Sequence, residues 1–354
     1  MTIVDGGARL LAVGTATPPE SFSQQELLDR FAITDRATVS VFRNSHIERR
    51  NLYLAADRPA ALGAETQGEL LDKHLAGALE MGEEAIRKCL AEAGCPPGAI
   101  DYLCCVTSTG FLCPGLSARL VERLGMRADV SRMDIVGMGC NAGLNGLNPV
   151  TTWATANPGR LAVMLCVEVC SAAYAHDGTM RTAVVNALFG DGAAAVLVGS
   201  SVPAAPGLSP QLVSFRSHVL TDALPAMRFD WDPDRLKYSF YLDRKIPYVI
   251  GAHAAEPVTD LLARQGLTVG DVDHWVVHSG GKKVIDGIKY NLDLTDHDLR
   301  HTTSVLRDHG NLSSGSFLFS YERLLRENVV REGDHGVMMT MGPGTTIETA
   351  LLRW

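Results

Sequence analysis

Gly137-Met-Gly-Cys-Asn-Ala-Gly-Leu-Asn-Gly-Leu-Asn-Pro149 decides how the rest of the chain is read. Ahead of it, Val130-Ser-Arg-Met-Asp-Ile-Val136 alternates in character and predicts a strand. Behind it, Val150 to Ala156 predicts a helix, with Pro149 at its start expected to kink it or mark a local break. Cys140 therefore falls where a strand hands over to a helix. Unpaired backbone N–H groups and the positive end of the helix dipole favour thiolate over thiol at such a point. Gly137, Gly139 and Gly143 lack the Cβ that would hold substrate or neighbouring backbone away. A buried structural cysteine in a strand-to-helix turn is the plainer reading of the same residues.

A chain of 354 residues is too long for one small core and suits two α/β domains or one large duplicated one. With 46% hydrophobic and 20% charged residues, its composition is that of an ordinary globular protein. The formal charge of −8 supplies no basic field for nucleic acid, so a phosphate-bearing ligand such as CoA would need a local basic patch. All eight cysteines fall between Cys89 and Cys170 without framework or zinc-like spacing, which reads as reduced thiols and no metal site. No basic-then-apolar leader and no apolar run of membrane-spanning length is evident, so a cytoplasmic protein off the membrane is expected.

Outward from the central stretch, strand and helix patterns alternate. Strands are predicted over Ala8–Gly14, Ala99–Val106, Arg160–Glu168, Phe189–Gly199 and His274–His278. Helices are predicted over Ser23–Phe31, Thr34–Arg43, Ala78–Ala93, Ser117–Leu124, Thr182–Leu188 and Ile246–Gln265. Further helices are expected from Lys283, over Val305–His309, and between Asn311 and Asn328. Phe229 to Tyr241 reads as a mobile polar section, and Ile47-Glu-Arg-Arg50 as a charged stretch. The segment Ser200–Ser209, rich in Ser, Pro, Ala and Gly, divides the chain into halves 1–205 and 206–354. Each half carries a strand followed by a Gly-rich signature, which suggests two related α/β halves.

A nucleophilic cysteine needs a base, and a developing oxyanion needs donors. His278 ends an apolar strand beside Gly280 and Gly281, where α/β active sites lie. Alone, it is equally a structural or surface histidine. Asn311 precedes a helix and alone reads as an N-cap. Together Cys140, His278 and Asn311 make a consistent set for decarboxylative Claisen condensation.

Five ordered motifs carry a resemblance over nearly the whole length. They are Gly139-Cys-Asn-Ala-Gly143, Leu188-Phe-Gly-Asp-Gly-Ala-Ala-Ala195, Trp275-Val-Val-His-Ser-Gly-Gly281, Gly310-Asn-Leu-Ser-Ser314 and Gly342-Pro-Gly344 ahead of Glu348-Thr349. The chain resembles a type III polyketide synthase of the thiolase superfamily. That resemblance implies an α/β, thiolase-like fold of five layers, αβαβα, built from two related halves. It implies Cys140 as acyl-accepting nucleophile, with His278 and Asn311 driving malonyl decarboxylation and holding the thioester oxygen. Phe189 and Phe240 fall on the family's gating aromatics, although Phe189 also reads as core packing. Gating and cavity positions carried over from the family also include Ser108, Thr109, Cys170, Ala172, Ala173, Trp231, Ser313, Gly342 and Pro343. Cys113 matches the position that reaches into a partner's cavity, so a homodimer is implied.

No metal or organic cofactor is implied. The family's basic CoA positions align with Ala37, Ser40 and Asn44; Arg36 and Arg43 are the available replacements, and also read as ordinary solvated arginines. The Gly-Phe usual before Gly-Pro-Gly is Thr340-Met341 here. Gly137–Asn145, Val167–Tyr174 and Asp177–Asn186 resemble a bacterial subgroup of antibiotic pathways. Its members use malonyl-CoA as starter and extender, join four units, close an aromatic ring and leave a CoA thioester, with crotonase-like enzymes acting downstream. Three other readings stay open: a ketoacyl synthase III, a type III enzyme taking a fatty or aromatic acyl-CoA to a pyrone or resorcinol, and a catalytically silent binding subunit.

Overall fold

A computed structural model describes residues 7–54, 65–175, 178–202 and 208–354. In the first half the elements run β1 (Arg9–Ala16), β2 (Ser21–Ser23), α1 (Gln24–Arg30), α2 (Arg36–Arg43), β3 (Arg49–Asn51), α3 (Gln67–Glu92) and β4 (Tyr102–Thr107). They continue through α4 (Leu116–Leu124), β5 (Ser131–Val136), α5 (Ala142–Ala156), β6 (Leu161–Glu168), α6 (Met180–Leu188) and β7 (Gly192–Gly199). The second half runs β8 (Gln211–Val219), β9 (Met227–Asp232), β10 (Lys237–Leu242), α7 (Ile246–His253), α8 (Ala255–Ala263) and β11 (His274–Val277). It closes with α9 (Lys282–Asn291), α10 (Arg300–His309), α11 (Ser316–Glu327), β12 (His335–Gly342) and β13 (Thr346–Arg353). The expected division at 205/206 lies outside the described residues.

Nine strands line up as β11-β12-β13-β8-β1-β7-β6-β4-β5. The order contains a repeat. In β4-β6-β7-β1 the pairings are parallel, antiparallel, antiparallel, and β11-β12-β13-β8 gives the same sequence of senses. The two sets touch through one register position, Arg9↔Gln211. They are two sheets joined at a corner.

Alternation along the strands sets the layers, because successive side chains leave opposite faces of a sheet. On β6, Ala162, Met164 and Cys166 pack inward with α5 and α11, while Val163, Leu165 and Val167 pack outward with α3 and α4. On the second sheet, Met338, Ala350 and Leu352 reach the same α5/α11 core. Met339, Ile347 and Leu351 face α7, α8 and α9. Helix, sheet, helix pair, sheet, helix: the five-layered arrangement follows. Each fully buried Val or Leu contributes roughly 1.5–3 kcal/mol.

Several expected elements differ in extent. Helix α3 starts at Gln67, eleven residues ahead of the expected Ala78, because Thr66 and Glu69 form a reciprocal capping box. The expected helix Ile246–Gln265 breaks into α7 and α8 around Ala254. Pro257 cannot donate to the carbonyl four residues back, at His253. Helix α5 begins at Ala142, not Val150, and continues through Pro149 rather than starting there. The section read as mobile and polar, Phe229–Tyr241, is a hairpin of β9 and β10 with Phe240 opposite Phe229.

Candidate active site

Cys140 lies in a 3-10 turn, Gly139–Asn141, that runs straight into α5. Two glycines make the position possible. Gly139 has φ +75°, and a Cβ there would stand 2.3 Å from Pro343 Cδ. A Cβ on Gly143 would stand 2.2 Å from the Ser314 carbonyl oxygen, so the first turn of α5 presses directly on the segment that follows Asn311. Gly342 lies against the backbone of Cys140 and Asn141 in the same way.

The thiol is enclosed, 7% exposed, with Sγ 3.6 Å from Ser313 Oγ. Burial pushes it up to about 12; hydrogen bonds from Ser313 and Asn311 pull the other way, and the nearby Glu168 charge adds to the rise. The expected tilt toward thiolate at the helix start is therefore outweighed in the substrate-free enzyme. Desolvation is the larger effect.

Asn311 is 2% exposed and pairs by backbone with Phe189 in an isolated parallel bridge. Its N–H donates to Leu188 O at 2.9 Å, and its own carbonyl accepts from Gly190 N at 2.9 Å. Ser313 N donates to Asn311 Oδ1 at 2.8 Å, leaving the amide nitrogen as the donor toward Cys140. His278 follows β11, 1% exposed, its backbone N–H on Met339 O at 2.8 Å. Its neighbour Ser279 donates Oγ–H to Gly310 O at 3.4 Å, which joins the histidine segment to the residue before Asn311. Burial holds the imidazole down at about 3, so it is neutral at physiological pH, and among the described residues the buried Nδ1 has no hydrogen-bond partner. Cys140, Asn311 and His278 thus belong to segments that touch in sequence of contact, although they come from three distant parts of the chain.

Glu168 ties these segments together, and sequence reading gave it no role. Its carboxyl is fully buried at the end of β6. Oε1 accepts from Ser314 Oγ at 2.6 Å and Ser313 Oγ at 3.3 Å, and Oε2 accepts from Ser108 N at 2.8 Å. Ser108 Oγ in turn accepts from Gly139 N at 2.7 Å. Burial raises the Glu168 carboxyl against the lowering effect of those donors. The available signal was an acidic residue closing an otherwise apolar strand.

A cavity of about 310 Å³ opens beside Cys140. Its wall includes the expected Ser108, Thr109, Cys170, Ala173, Phe189, Phe240, Ser313 and Pro343. Val185, Met227 and Phe229 also line it and were not anticipated. Phe189 and Phe240 meet edge to face at 5.9 Å between centroids, and Phe229 packs on Phe240 at 5.1 Å. Arg228 also lines the cavity; the register sets Arg228 opposite Tyr241, with its guanidinium 4.3 Å over the Tyr241 ring.

Four expected cavity residues are not in this wall: Gly342, which lies against the Cys140 and Asn141 backbone, and Ala172, Trp231 and Cys113. Ala172 faces the α3/α4 core, because the 3-10 turn Cys170–Ala173 directs neighbouring residues to different sides. Trp231 stands 48% exposed on the hairpin, edge to face with Tyr238, two residues beyond Phe229 along β9. Cys113 is exposed in the loop before α4 and does not line the cavity of its own chain. Arg36 and Arg43 are exposed on α2, outside the cavity wall, and Arg43 Nη2 donates to Gln25 Oε1 at 3.3 Å. Among the described residues, no helix is long and apolar enough to cross a membrane.

Comparison with known proteins fits this geometry. The N-terminal domain of chalcone and stilbene synthases matches residues 2–202, and the C-terminal domain matches residues 234–354. The chain belongs to the chalcone and stilbene synthase family. Within this family of type III polyketide synthases, it is 58% identical over 350 residues to 3,5-dihydroxyphenylacetyl-CoA synthase of Streptomyces toyocaensis, covering 98% of this chain and 90% of the other. It is 57% identical to the synthase of the same name from Amycolatopsis balhimycina, covering 98% and 93%. Identity to 1,3,6,8-tetrahydroxynaphthalene synthase of Streptomyces peucetius subsp. caesius is 34%, over 100% and 95%. Two solved chalcone and stilbene synthase-like structures superpose along the whole chain. PKS-I of the brown alga Ectocarpus siliculosus gives a TM-score of 0.90 at 25% identity, covering 100% of both chains. The C-terminal type III polyketide synthase domain of Steely1 from Dictyostelium gives 0.88 at 26%, covering 98% and 99%.

Proposed function

We propose that this enzyme makes 3,5-dihydroxyphenylacetyl-CoA from malonyl-CoA alone, by iterative decarboxylative Claisen condensation. The observation that carries the reading is the 57–58% identity to synthases of that name along 98% of the chain. Cys140 and Ser313 line one cavity, and Asn311, bonded to Ser313 N through its side-chain oxygen, stands beside them; this arrangement supports the chemistry.

Cys140 Sγ accepts the acyl group and releases CoA. An incoming malonyl thioester loses its carboxylate as CO₂, and the electron pair of that C–C bond becomes an enolate. The amide of Asn311 and the imidazole of His278, both neutral and both buried, stabilise the oxygen that takes the charge. The enolate carbon then attacks the Cys140 thioester carbonyl, forming a C–C bond and returning the thiolate. The apolar wall of Phe189 and Phe240 disfavours the ionised carboxylate and so favours its loss. Four malonyl units lose four CO₂ and three CoA. Ring closure through the terminal methyl carbon expels one water and leaves the aromatic CoA thioester. Arg36 and Arg43 on α2 receive the CoA phosphates, a homodimer places Cys113 at the partner's cavity, and the enzyme works in the cytoplasm ahead of crotonase-like enzymes.

Mass spectrometry after incubation with malonyl-CoA as sole substrate tests the proposal. A dihydroxyphenylacetyl thioester or its free acid, with CO₂ released, is expected. Slow CO₂ release without an aromatic product would overturn it in favour of an added acyl-CoA starter.

A further inference from the structure

Arg50 is the largest fully buried side chain, at 0% exposure, although its neighbours Glu48 and Arg49 are exposed and the stretch reads as surface. Its guanidinium makes no ion pair among the described residues. Burial disfavours the charge; the Asp191 carboxyl opposes that through space without forming an ion pair, and hydrogen bonds to the neighbours must supply the rest. Nη1 donates to Phe189 O at 2.5 Å, Asn186 O at 2.7 Å and Tyr174 Oη at 2.9 Å. Nη2 donates to Gln24 Oε1 at 2.9 Å, while the buried Nε has no partner among the described residues. Tyr174 also donates its hydroxyl to Phe189 O, at 2.5 Å.

The stem of the same side chain touches the other half of the site. Gly310 has φ +72°, and a Cβ there would stand 2.8 Å from Arg50 Cδ and 3.1 Å from Cγ. Gly310 directly precedes Asn311, which bridges back to Phe189. One residue therefore grips the carbonyl of the gating aromatic and underlies the turn that delivers the oxyanion donor. A methionine of similar length would fill the space. It could not hold the Phe189 carbonyl.

We propose that Arg50 is a positioning residue for condensation, fixing the Phe189 backbone and the Asn311 segment paired with it so that the Asn311 amide meets the thioester oxygen. The inference rests on the roles given above to Phe189 and Asn311. A purely structural staple would lower stability and depress acyl loading and condensation together. A positioning residue lowers condensation while Cys140 still loads.

The test compares Arg50→Met, Arg50→Lys, Tyr174→Phe and Asn311→Ala with the wild-type full chain, all with malonyl-CoA. Cys140 acyl occupancy is read by intact-protein mass spectrometry, and kcat and KM by product release. Arg50→Met should load Cys140 nearly as wild type with an unchanged KM, while kcat falls on the order of 100-fold, the scale of a misplaced catalytic group. Arg50→Lys should recover part of the loss. Tyr174→Phe, which removes one donor from the Phe189 carbonyl, should slow kcat several-fold with loading intact. Loading and condensation falling in parallel in Arg50→Met, or wild-type kcat, would overturn the inference. If Arg50→Met does not fold, Tyr174→Phe decides: wild-type kcat overturns the inference, and a selective loss upholds it. Wild-type turnover in Asn311→Ala would instead move the oxyanion role to another residue and remove the reading of Asn311 on which this inference rests.

Discussion

Ser313 N–H and Asn311 Oδ1 are hydrogen-bonded at 2.8 Å, and this contact orients the site. With Oδ1 engaged, the amide nitrogen is the end presented to Cys140, whose Sγ also lies 3.6 Å from Ser313 Oγ. Ser313 makes both contacts, one through its backbone and one through its hydroxyl.

Asn311→Ala therefore removes a donor without removing the nucleophile. Cys140 should still acquire an acyl group from malonyl-CoA. Condensation should fall about 10²–10³-fold, the usual effect of losing one oxyanion donor. Asn311→Asp should be no better, since a carboxylate offers no N–H. Intact-protein mass and product assays on the same samples check this; unchanged turnover would move the oxyanion role to another residue.

Cys140 and Glu168 give a prediction with a definite sign. The thiol is pushed up to about 12, so it is protonated at neutral pH and its thiolate fraction rises about tenfold per pH unit below that value. Alkylation of Cys140 by iodoacetamide in substrate-free enzyme should keep climbing from pH 7 to pH 9. A plateau near neutrality would mean that an ion pair with His278 already exists. The Glu168 charge contributes to the rise, so Glu168→Gln should speed alkylation at pH 7. Slower alkylation would contradict the electrostatic account.

Ala173 lines the cavity with a single methyl group. Ala173→Leu would take up part of the roughly 310 Å³ available to the growing chain. Shorter products should appear at the expense of the aromatic one, with Cys140 loading intact. An unchanged product profile would show that chain length is set away from this wall.

Cys140, His278 and Asn311 could be singled out because each sits in a short glycine-marked signature at the end of a strand or the start of a helix, and the structure sets those three segments against one another. The layered fold was legible from alternating buried strands and helices. Arg50 and Glu168 were not. Their burial depends on partners from distant segments, Tyr174 and Phe189 for one and Ser108 and Ser314 for the other, and no local pattern announces them. The hairpin β9–β10 was obscured by the charged residues alternating with Met227, Phe229 and Trp231, which made a strand face look like a polar loop. Ala172 and Trp231 were misplaced for a related reason: turn direction and distance along a strand decide which neighbours reach the cavity.

Gly143 shows how tightly two distant segments are joined. Gly143→Ala would drive a Cβ to within 2.2 Å of the Ser314 carbonyl oxygen. Overpacking of this kind costs typically 1–3 kcal/mol, about that much should be lost in urea denaturation, and turnover should fall as the Ser313–Ser314 turn shifts. Full stability and full activity together would show that the two segments can separate freely.

On this reading Cys140, beside Ser313 and Asn311, carries the growing chain. Intact-protein mass spectrometry of wild type and Cys140→Ala after brief exposure to malonyl-CoA tests it most directly. The wild type should gain acyl adducts mapping to the Cys140 peptide, and Cys140→Ala should gain none and release no aromatic product. A normal aromatic product from Cys140→Ala would contradict the account.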